Sequence, residues 1–157
     1  MRTILIPTDF TSVPLLLLKH AATNFPGKLN VVFMYSTFLP NSITELLFYS
    51  PAKAIERASN KEFSEGCSII RNHYPDKIHN IRYELLHSNT VSAFKALAYT
   101  NNIDTTLLSA GHRFSKNGAS FDPTRLIIQG STKIYLVDLQ LTEQFENTDL
   151  ITSLLTS

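Results

Sequence analysis

Cysteine occurs once in the chain, at Cys67, so no disulfide can close within it. That excludes a disulfide-stapled scaffold and a zinc site built on several cysteines, and it fits a reducing compartment. No apolar run approaches the ~20 residues that span a bilayer. The opening Met1-Arg2-Thr3-Ile4-Leu5-Ile6-Pro7 is too short an apolar run for a signal peptide. An excess of base is missing as well. Fourteen Lys and Arg against 13 Asp and Glu leave a net charge of +1, and the bases are scattered. A nucleic-acid binder concentrates them on one face. The expectation is a soluble cytoplasmic protein with neither a nucleic-acid nor a membrane partner.

What is present is enough for one packed domain. The chain has 157 residues, 43% hydrophobic and 17% charged. It is too apolar, and too weakly charged, for a disordered chain. Ile4-Leu5-Ile6, halted by Pro7, reads as a strand buried on both faces. Residues 15–22 are strong helix formers, ended by Asn24, Pro26 and Gly27. Residues 29–35 read as a second buried strand. Residues 43–74 read as a long helical stretch with a break near Ser50-Pro51. Ile55, Ala58, Phe63, Cys67, Ile70 and Tyr74 make its apolar face. Residues 79–87 alternate as a third strand, and Asn89 or Thr90 caps a helix running to Asn101. A fourth strand over 104–110, a polar loop over 111–120, a helix opened by Asp122-Pro123 and a fifth strand at 134–137 complete the series.

Strands alternating with helices demand a parallel sheet with right-handed crossovers. The fold class is therefore α/β: a five-stranded, doubly wound, Rossmann-like parallel sheet spanning residues 1–140. Residues 141–157 form a tail with Leu141, Phe145, Leu150, Ile151, Leu154 and Leu155 among polar neighbours. Such a tail suits a weak amphipathic helix docked on the domain or on a partner. In a doubly wound sheet ligands bind beyond the carboxyl ends of the strands. Pro7-Thr8-Asp9, Tyr35-Ser36 and the segment from Gly111 converge there.

Ile4-Leu5-Ile6-Pro7-Thr8-Asp9-Phe10-Thr11 resembles the opening of the universal stress proteins, a family whose element order the chain matches over residues 1–138. Many members of that family bind ATP. The resemblance implies a stress-response protein that would use Thr8 and Asp9 near the adenosine and the backbone at Tyr35 against adenine. Phosphates would lie on the loop carrying Gly111, Arg113 and Ser120. It further implies a homodimer formed through the last strand, residues 133–139, with Ile134, Tyr135, Leu136 and Val137 at the interface.

The phosphate loop departs from the family. The binders carry G-x-x-G, nine residues, then G and Ser or Thr. Counted from Gly111, the later glycines fall on Phe114 and Thr124; from Gly118, on Phe121 and Ser131; back from Gly130, on Ser120 and Asn117. The nearest counterpart of the closing pair is Ala119-Ser120. Asp122 adds a carboxylate where a phosphate would seek amides. Two like charges at about 4 Å repel by roughly 1–4 kcal/mol. His112, Arg113 and Lys116 offset part of that.

The chain is therefore read as a non-enzymatic, universal-stress-like regulatory or interaction protein, dimeric, with an unknown protein partner and no resident cofactor. The alternative is a sensor that binds ATP or AMP through an atypical loop. Asp9 suits either a loop-stabilising role or a ligand contact, and Gly111 suits a simple strand-exit turn. His112 has no acid or cysteine at metal-ligand spacing, so no metal site is expected. Cys67 reads as a core residue. No nucleophile elbow or acid–base pair emerges, so no catalytic residue is assigned.

Overall fold

A computed structural model describes residues 1–130 and 132–139. Expectations for the tail, residues 141–157, lie outside the described residues. The elements run β1 Arg2–Thr8, α1 Ser12–Asn24, β2 Leu29–Ser36, α2 Ile43–Leu47, α3 Pro51–Ala58, α4 Lys61–His73, β3 Ile78–Leu86, α5 Val91–Thr100, β4 Thr105–Ser109, α6 Thr124–Gln129 and β5 Lys133–Val137. The strands form one sheet in the order β3-β2-β1-β4-β5. Every neighbouring pair is parallel. The doubly wound α/β fold read from the sequence is the fold observed.

The central strands are apolar throughout because both faces are covered. Ile4, Ile6, Val31, Phe33 and Leu107 face α1 and α4, packing with Leu15, Leu18, Phe63 and Ile70. Leu5, Met34 and Leu108 face the other way, onto Phe94 and Ala98 of α5 and Leu126 and Ile127 of α6. Each such side chain removed from water contributes roughly 1.5–3 kcal/mol. Close approach fixes two glycines. A Cβ on Gly66 would stand 2.6 Å from Leu15 Cδ1, and one on Gly130 would stand 2.6 Å from two ring atoms of Phe94. Gly130, which the phosphate-loop count could not place, is thus the point where the end of α6 passes the core.

Two expectations need correction. The stretch over 43–74 breaks near Ser50-Pro51, as expected, and a second time at Asn60, so it is three helices; Ser50 and Asn60 each accept a backbone amide as a fresh N-cap. A polar side chain that binds backbone favours a new start over continuation. The apolar face nevertheless survives the break at Asn60: Phe63, Cys67 and Ile70 are buried, with Ile55, Ala58 and Tyr74 packed against them. The last helix opens at Thr124, with Asp122 and Pro123 outside it. Val137 is only 4% exposed and packs in the core, so its side chain is not on the surface of β5. Among the described residues no helix is long and apolar enough to cross a membrane.

Candidate crevice at the carboxyl edge of the sheet

The strand order reverses between β1 and β4, and a crevice opens beyond their carboxyl ends. The turn leaving β1 is held by its own side chains. Thr8 Oγ1 accepts the Phe10 amide at 2.9 Å. Asp9 Oδ1 accepts the Thr11 amide at 3.2 Å and the Thr11 hydroxyl at 2.6 Å. Phe10 adopts φ +58°, a left-handed conformation that costs a bulky residue of order 1–3 kcal/mol. Packing repays it. The Phe10 ring lies 5.2 Å from Tyr35 and 5.1 Å from Phe63, centroid to centroid. Asn60 Nδ2 donates to the Phe10 carbonyl at 3.0 Å, while its Oδ1 caps α4.

The second oxygen of Asp9 reaches across to the loop after β4. Oδ2 accepts the Ser115 amide at 2.8 Å and stands 3.1 Å from His112 Nε2. A carboxylate only accepts, so the imidazole nitrogen donates. The Asp9 side chain is 3% exposed and that of His112 15%. Burial alone would raise the Asp9 carboxyl. The hydrogen bonds from His112, Thr11 and Ser115, with the charge of His112, outweigh it and hold the group down at about 2. The carboxylate is therefore committed to binding the chain itself.

The same loop crosses the end of β2. Phe38 donates its amide to Ala119 O at 3.0 Å, and Phe121 donates to Ser36 O at 3.0 Å. Thr37 and Ser120 form an antiparallel bridge. The rings of Phe38 and Phe121 meet at 4.6 Å. Ser120 Oγ accepts the Asn117 amide at 2.7 Å. At the start of α6, Asp122 Oδ1 takes the Thr124 amide at 2.9 Å and the Thr124 hydroxyl at 2.6 Å.

The fold thus brings Thr8, Asp9 and Gly111 to one crevice. Gly111, at φ +74°, makes the turn out of β4. The Tyr35 side chain turns inward against Phe10, and its residue is paired with Thr8 and Leu85 in the ladders. Arg113 is exposed on the loop. His112 and Ser115 are the partners that sequence reasoning missed. A histidine directly after the β4 exit glycine, in a topology that sets β4 beside β1, was the available signal. No group of three or more His, Cys, Asp or Glu able to hold a metal occurs among the described residues.

No family model matches the chain, and no curated protein matches it either. Solved structures do. The structure of hypothetical protein MJ0577 aligns at TM-score 0.55 and 15% identity, over 87% of this chain and 95% of that one. Hypothetical protein PH0823 aligns at TM-score 0.53 and 14% identity, over 87% and 96%. A universal stress protein in complex with cAMP aligns at TM-score 0.49 and 15% identity, over 87% and 96%. The protein shares its Rossmann-like α/β fold with the first two of these structures. At these identities the likeness is one of fold.

Proposed function

We propose that this is a non-enzymatic regulatory or interaction protein of universal-stress type, acting as a cytoplasmic homodimer, whose nucleotide crevice is closed by its own loop. One observation carries the reading: the polar groups that such a crevice would offer are spent internally. Asp9 holds His112 and Ser115, Ser36 O and the Phe38 amide hold 119–121, and Asp122 occupies the amide at the head of α6. A nucleotide would have to break several of these bonds. Each net hydrogen bond is worth about 1 kcal/mol, and those to a charged group roughly 1.5–3 kcal/mol.

The surface supports an interaction role. Ile43, Leu47 and Phe48 are each more than 70% exposed on and beside α2. Apolar side chains gathered in this way mark protein contact sites. At the other edge of the sheet no strand among the described residues pairs with the outer side of β5, and Tyr135 and Leu136 are exposed there, which suits pairing with a second copy. Ile134 is half-buried and Val137 buried, so they would join that contact through the main chain.

The test is calorimetric titration of nucleotide-stripped protein with ATP and with AMP, with and without magnesium, beside sedimentation at micromolar concentration. The expected result is no binding heat and a dimer. Micromolar ATP or AMP binding would overturn the closed crevice in favour of a nucleotide sensor, and a monomer would overturn the dimer.

A further inference from the structure

An apolar groove of about 370 Å³ runs along the carboxyl edge of the sheet, on the β5 side of the Asp9–His112 pair. Pro7, Val13, Leu108, Phe114, Ile128 and Leu136 line it. Among the described residues, no Lys, Arg, Asp or Glu contributes to its wall. Ile128 and Leu136 stand more than 60% exposed on its sides. We propose that the chain's own tail, residues 141–155, binds in this groove through Leu141 and Phe145.

The position of the chain carries the assignment. β5 runs parallel to β4, so it delivers the main chain to the carboxyl edge where the groove lies. Val137 O accepts the Ala110 amide at 2.8 Å, and Ala110 is itself a wall residue. Leu139, only 5% exposed, anchors the chain in the core just beyond. Leu136 lines the groove three residues before that anchor, so about 10 Å of chain separates them. Six further residues reach Phe145, with a span of up to about 20 Å. A tether this short holds the tail at roughly millimolar effective concentration. At micromolar protein, a second copy offering the same segment is outcompeted.

The chemistry agrees. Residues 140–157 contain Glu143, Glu146 and Asp149 and no Lys or Arg. A wall whose only ionisable side chain among the described residues is His112, with its Nε2 paired to Asp9, accepts the apolar side chains and leaves the acids in water. Exposed Arg113 sits between the wall residues His112 and Phe114, placed to attract them. The contact uses the α6-side face of β5 and leaves the outer backbone edge of that strand open for a second copy.

Disulfide trapping in the full chain tests this. Ser115→Cys, next to wall residue Phe114, is combined with Gln144→Cys, next to Phe145. The reference pair is Tyr99→Cys with Gln144→Cys; Tyr99 is 87% exposed at the end of α5, beside Lys133 at the amino end of β5 and so at the end of the sheet away from the groove. Cys67 is buried, with burial pushing its thiol up to about 11, and stays out of the exchange. Under mild oxidation the 115–144 disulfide should form within one chain about tenfold faster than the 99–144 disulfide. Adding Phe145→Asp should return it to the reference rate. Equal rates would overturn the proposal. So would a fast disulfide indifferent to Phe145→Asp, since the tether alone would then explain it. A disulfide between two chains would assign the groove to a second copy and overturn binding of the chain's own tail.

Discussion

Asp9 and His112 lie 103 residues apart in sequence and 3.1 Å apart in space. Their contact joins the turn after β1 to the loop after β4 at the point where the strand order reverses. Asp9→Ala removes the acceptor for His112, Ser115 and Thr11 together and leaves the Ser115 and Thr11 amides to find new partners. A loss of about 2–4 kcal/mol is expected in urea unfolding, with the m-value unchanged. Little or no loss would mean that the loop is held elsewhere.

The same carboxylate makes stability depend on acid. Its folded pKa is held down at about 2, below the ordinary 3.8. The unfolded chain therefore binds more protons between these values, and stability rises with pH across that window. The contribution is fully present above about pH 4 and is lost as pH falls through 2; the shift corresponds to roughly 2 kcal/mol. Asp9→Asn should flatten this part of the stability–pH curve, read by denaturant titration at successive pH values.

Gly130→Ala should be costly despite its small size. The new methyl would meet the ring of Phe94, which is fully buried and has nowhere to move. A destabilisation of about 1–3 kcal/mol is expected. Gly130→Ala combined with Phe94→Leu should cost less than the sum of the two single changes, because the clash and its relief occupy one space.

Asn60 does two jobs with one amide group. Asn60→Ala loses both the α4 cap and the bond to the Phe10 carbonyl, and should lower stability by about 1–2 kcal/mol. Asn60→Asp keeps the cap acceptor and loses the donor to Phe10, so its melting temperature should fall between those of the parent and Asn60→Ala.

Cys67 should be inert in the folded protein. Burial pushes its thiol up to about 11, against the opposing pull of Tyr83 and Arg71. A thiol reagent at pH 8 should label it only as fast as the protein unfolds, and at once in denaturant.

The sheet was legible in the sequence because burial on both faces leaves continuous apolar runs, as at Ile4-Leu5-Ile6 and at residues 31–34. The apolar face shared by α3 and α4 was legible for a related reason: helical spacing persists across a break. The break at Asn60 was not, since an asparagine inside a periodic pattern reads as an exposed position until its partners are seen. The loss of the glycine spacing after β4 was equally plain from counting. What took that loop's place was not. His112 and Ser115 reach Asp9, and residues 119–121 pair with residues 36–38, only because the order β3-β2-β1-β4-β5 sets the ends of β2, β1 and β4 side by side. Sequence alone determined which segments bury their side chains, because burial writes a local period into the chain. Tertiary structure decided what Asp9 holds, because a hydrogen-bond partner 103 residues away leaves no local period to read.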